Sequence, residues 1–177
     1  MKKLILKTIV AALLSIFSIF LVLFGTLSLT VPQWMGKLAG NLGLVQTEAT
    51  YALQAYKKDK KIESLSIAVQ KSYNAKLYQN SATYGRALIE DENFATYCQT
   101  QPEYVNALSK FTTKVFLQAI TAESCFYIGD ADQTFIIAQS TYIPNNDYQV
   151  VDWLLELPKI QADTNFYNQL QTIKTTR

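Results

Sequence analysis

The chain reads as an all-α protein: a single N-terminal transmembrane helix followed by an array of antiparallel helical hairpins. Three observations carry this. Residues Thr8 to Val31 hold no charge and are dominated by Leu, Ile, Phe, Val and Ala. Behind them, apolar side chains return at steps of three and four through most of the chain, which is the period of a helix with one buried face. No segment keeps up the alternation of a half-buried strand, and short apolar runs such as Phe135-Ile136-Ile137 lack a neighbour to pair with.

The first element divides at its charges. Residues 1–7 form a basic tail, and residues 8–31 form the span. At about 1.5 Å per residue the span reaches about 36 Å, enough to cross a hydrocarbon core of about 30 Å with some tilt. Its polar side chains, Thr8, Ser15, Ser18, Thr26, Ser28 and Thr30, can each bond to the backbone of their own helix. A cleavable signal peptide is the rival reading. The apolar run exceeds the roughly 7–15 residues of such a segment and no A-x-A site follows it, which favours an uncleaved signal-anchor. No cysteine follows the run to carry a lipid. Lys2, Lys3 and Lys7 precede the span, and Lys37 is the one basic residue soon after it, so the N-terminus is expected in the cytoplasm and the remainder outside. The short basic start points to a bacterial plasma membrane.

Residues 32–43 read as a connector, with Pro32 ending the span, Trp34 placed as an interfacial anchor, and Gly36, Gly40 and Gly43 close together. Residues 44–177 form the extracytoplasmic α-helical domain. Its first helix covers 44–58 and closes on the Lys57–Lys61 cluster. Residues 62–78 follow, with Ile62, Leu65, Val69, Tyr73 and Leu77 on one stripe. A helix near 80–90 turns at Glu90-Asp91-Glu92-Asn93, and a short one carries Phe94, Tyr97 and Cys98. A long helix is expected over 102–127, opened by Pro102 and Glu103, striped by Tyr104, Leu108, Phe111, Val115, Ala119, Ala122 and Phe126, and stopped by Gly129. Asp130 and Gln133 open the next helix as a capping box, running to about Tyr142. Asp147 caps another through Leu157, Pro158 breaks it, and a last amphipathic helix covers about 163–173. The expected core includes Leu65, Val69, Leu108, Phe111, Val115 and Trp153.

Ala49-Thr50-Tyr51 returns as Ala82-Thr83-Tyr84, 33 residues on, and the charged turns at Lys57–Lys61 and Glu90–Asn93 keep the same offset. In this, residues 44–100 resemble tetratricopeptide repeats, whose period is about 34 residues. The resemblance implies a superhelix of paired helices with a concave binding surface; an irregular helical bundle is the alternative.

Composition narrows the chemistry. The chain contains no histidine, which rules out Ser-His-Asp and Cys-His catalysis and histidine-based metal sites within it. A net charge of +2 gives no field that would attract nucleic acid. No catalytic, cofactor-binding or metal-ligating residue is therefore singled out. Gly129-Asp130-Ala131-Asp132 begins like a calcium loop but has Thr141 at its twelfth position and no glycine at its sixth, so it is read as a helix cap. Glu90, Asp91 and Glu92 are read as a solvated turn rather than paired acids, and the lysine cluster likewise rather than as a headgroup site. Cys98 and Cys125 are expected to remain unjoined, because hairpin geometry places them far apart along the long helix. The expected function is protein or peptide binding by a membrane-anchored scaffold module without catalysis, the partners being the bilayer through residues 8–31 and an unidentified protein. The alternatives are an envelope enzyme using carboxylates or Ser with Lys, and a structural subunit of a membrane complex.

Overall fold

In this computed structural model the described residues are 2–101, 104–105, 110–141 and 148–175. They form an all-α protein. Helix α1 (Lys2–Thr30) includes a stretch, Lys7–Thr30, that is long and apolar enough to cross a membrane and has none of its residues buried against the rest of the protein. The hydroxyls of Ser15, Thr26, Ser28 and Thr30 bond inward: Ser15 donates to the Ala11 carbonyl at 2.9 Å and Thr30 to the Thr26 carbonyl at 2.8 Å.

Val31, with φ −132° and ψ 60°, breaks the helix, and Pro32 opens α2 (Pro32–Asn41). Residues 32–43, expected as a connector, are thus mostly helical. Gly36 and Gly40 lie one turn apart on the face that meets α3 (Val45–Asp59), where a Cβ on Gly36 would touch the Tyr51 Cβ at 3.4 Å. Gly36 serves close helix packing here, not chain freedom. Gly43, at φ +72°, does serve a turn. Helices α4 (Ile62–Asn74) and α5 (Tyr78–Ile89) continue the array, α3 packing on α4 and α4 on α5. A short α6 (Phe94–Gln99) follows.

The expected helix over 102–127 is shorter than the pattern suggested. Residues Tyr104–Val105 (β1) and Lys110–Phe111 (β2) pair antiparallel, Tyr104 opposite Phe111, and the helix α7 covers Thr113–Tyr127. Thr112 is its N-cap, the hydroxyl accepting from the Val115 amide at 3.3 Å. Tyr104, Val105 and Phe111 are strand formers, so a spacing of three and four that mimics a helix is taken instead by a local ladder. Pro102, Glu103 and Leu108 lie outside the described residues.

The end of α7 is as expected. Gly129 adopts φ +87°, its amide bonding to the Phe126 carbonyl and that of Asp130 to the Cys125 carbonyl, the paired bonds of a left-handed helix stop. Asp130 then caps α8 (Ala131–Ser140) by accepting from the Gln133 amide. The expected cap at Asp147 and the end at Tyr142 lie outside the described residues. Beyond them come α9 (Gln149–Leu155), α10 (Pro158–Ala162), with Pro158 in its first turn, and α11 (Thr164–Thr175).

The core is built around α7. Every residue from Val115 to Phe126 is buried. One side of α7 packs with α4, α5 and α6 around Leu65, Val69, Leu88 and Phe94; the other packs with α8 and α9, in a cluster that also holds Ile160, Phe166 and Leu170. Of the expected core, Leu65, Val69 and Val115 are buried, while Phe111 and Trp153 are half-buried with their rings edge to face at 5.5 Å. Cys98 and Cys125 are both buried free thiols.

Candidate functional site

Helix α3 carries alanine at positions 49, 52 and 55, and α2 and the α4 region rise on either side of it. Small side chains leave space there: a groove of about 890 Å³, open along one side, with a floor of Pro32, Gly36, Ala52, Ala55 and Ile67. That volume falls among the roughly 300–1,000 Å³ of ligand clefts. Its walls carry Lys37, Lys61 and Lys71 against Glu48, Asp59 and Glu63.

Some of these charges are committed internally. Lys71 pairs with Glu48 at 2.7 Å across α3 and α4. Asp59 accepts from the Lys61 amide at 3.0 Å and the Ser64 hydroxyl at 2.7 Å, which fixes the α3–α4 turn, and Gln33 of α2 reaches it at 3.5 Å. Lys37, Lys61 and Glu63 make no side-chain ion pair among the described residues. Ile67 is half exposed on the floor although it is a large aliphatic residue. The groove therefore offers apolar contact flanked by free charges of both signs, a chemistry suited to a polypeptide segment. Among the described residues no tyrosine or phenylalanine lines it. The aromatic residues are spent elsewhere, for example in the stack of Tyr78 on Tyr127 at 4.4 Å and of Phe126 on Phe166 at 5.1 Å.

A second constellation lies in the core. Glu123 of α7 is buried, and one carboxyl oxygen, Oε2, accepts both from the Tyr73 hydroxyl at 2.8 Å and from the Trp153 indole N–H at 2.7 Å. Burial and the adjoining Glu123 push the Tyr73 phenol well above its ordinary range. The network ties α4, α7 and α9 together. Its chemistry is that of a polar clasp between helices. Sequence reading passed over Glu123, although it sits four residues after Ala119 and three before Phe126 on an otherwise apolar stripe, and that interruption was the available signal.

Asp130 caps α8 and pairs with Arg86 at 3.2 Å. In the Glu90–Asn93 turn, Asp91 accepts from the Asn93 amide at 2.8 Å. In the lysine cluster, Lys58 donates to the Thr30 carbonyl at the end of α1, and Lys60 lies 5.2 Å from the Tyr56 ring centre. No protein family, characterised protein or solved structure matches this chain.

Proposed function

We propose that the chain is a single-pass membrane protein, N-terminus cytoplasmic and helical domain outside, that binds a polypeptide segment of another protein without catalysis. The observation that carries the reading is the groove over α3, with its aliphatic floor and with Lys37, Lys61 and Glu63 in no ion pair among the described residues. An extended segment gains affinity from apolar contact and specificity from charges fixed at the rim. Apolar α1 supports the anchor, and the lysines that precede it support the orientation. The repeat-like spacing of residues 44–100 agrees with an array of helical hairpins presenting such a groove.

The test is site-specific photocrosslinking in intact membranes. A benzophenone side chain replacing Ile67 should capture a defined protein, whereas the same group replacing Ile136, an exposed residue of α8, should not. Equal or absent capture at the two positions refutes the reading.

A further inference from the structure

Helix α2 has three faces. Met35, Gly36 and Ala39 are buried. Gln33 and Lys37 look onto the groove. The third face is apolar and bare: Trp34 is 53% exposed, Leu38 36% and Leu42, just past the last turn, 66%. At about 100° per residue, these three and Val31 share an arc of about 80°. Leu44 and Val45 in the following turn are 51% and 48% exposed.

This concentration is local. Among the described residues beyond α1, the other exposed large hydrophobics are Ile67, on the groove floor, and Ile136. From Val31 to Thr47 the only charged residue is Lys37. A soluble surface would scatter its apolar residues and mix in charge. Here they adjoin, across a single residue, a helix whose own apolar side chains are exposed all around. The continuity of the two bare surfaces names the occupant.

We infer that the outer face of α2, with Trp34, Leu38 and Leu42, lies in the interface of the same bilayer that α1 crosses, so that the folded domain is seated on the membrane rather than merely tethered to it. The inference rests on α1 being a span. An interfacial helix buries its apolar face at the boundary between headgroups and acyl chains and keeps its polar side out, and tryptophan is the side chain most at home there. Gln33 and Lys37 then stand beside the headgroups, which makes one wall of the groove juxtamembrane.

The full chain reconstituted in phosphatidylcholine vesicles tests this, with a reporter well beyond the span. A Leu42→Trp variant in a Trp34→Phe, Trp153→Phe background carries one tryptophan, twelve residues past Thr30. Flotation with the vesicles and resistance to carbonate extraction report α1 alone. In floated protein, the residue-42 emission should be quenched several-fold more by lipid brominated near the headgroup than by lipid brominated deep in the chain, and be shielded from aqueous iodide. Floated protein whose reporter is open to iodide overturns the seating while leaving the span intact. A reporter shielded from iodide and bromolipid alike is covered by protein, a second copy or a partner, and overturns it equally. Failure to float removes the span and the inference with it.

Discussion

Two glycines in helices show how the same substitution can have opposite outcomes. A Cβ on Gly85 of α5 would collide with the Thr121 hydroxyl and lie 3.0 Å from its Cβ. Thr121 is fully buried, β-branched and bonded to the Leu117 carbonyl at 2.7 Å, so it cannot swing aside. Gly85→Ala should therefore lower stability by about 1–3 kcal/mol despite its better helix propensity. On Gly40 of α2 the Cβ would meet the carboxyl end of Glu48 at 2.6 Å, a flexible group that can turn away. Gly40→Ala should be neutral or stabilising by up to about 1 kcal/mol, with a weaker Lys71–Glu48 pair. Urea unfolding of both variants checks the contrast. The thiols add a pH dependence. Burial pushes Cys98 and Cys125 from 9.0 up to about 11. Both are neutral in the fold but ionise earlier once unfolded, so their contribution is complete below about pH 9 and is lost as pH rises towards 11. The urea midpoint should fall across that range, and less steeply when both are replaced by alanine. Alkylation of unfolded, unreduced protein should label two thiols.

At the scale of the element, α7 is the helix whose partners decide the fold. Its centre carries Glu123, whose single oxygen serves both Tyr73 and Trp153. Glu123→Gln keeps a carbonyl oxygen that can accept both bonds, while Glu123→Ala leaves the donors of half-buried Tyr73 and Trp153 without this acceptor, each costing up to about 1–2 kcal/mol. The alanine variant should therefore lose about 2–4 kcal/mol and the glutamine variant less than about half that; equal losses would show that the hydrogen bonds are not what Glu123 contributes. Elements with one clean apolar stripe, such as α4, were legible from the sequence, as were the stop at Gly129 and the cap at Asp130. The start of α7 was not, because Tyr104, Val105 and Phe111 satisfy a helical spacing while preferring a ladder. Nor was α2, whose closely spaced glycines read as a connector until the neighbouring helix that Gly36 packs against is in place. The groove was illegible for the same reason: Ala52 and Ala55 on α3 become a floor only once α2 and the α4 region flank them, and no local pattern states which helices are neighbours.

For the whole molecule, the proposed membrane placement yields its own test. Mass spectrometry of protein extracted from membranes should find residues 1–31 retained, and protease added to intact cells should digest the helical domain; a protected C-terminus would reverse the orientation. The burial of α7 on all sides has a further consequence, in the order of synthesis. The chain leaves the ribosome from its N-terminus, so α4, α5 and α6 are present to cover one side of α7 as soon as it forms. The other side waits for Val150, Leu154, Ile160 and Leu170, which come more than twenty residues after Phe126. Until they arrive, Ala119, Ala122 and Phe126, buried in the finished fold, form an open apolar face. A chain that ends early, after Ser140, should be a substrate for quality-control proteases and accumulate far below the full-length protein, whereas one shortened only past Thr175 should not. Helix α11 thus works as a cover laid late over α7, and its synthesis becomes the condition for the chain's survival.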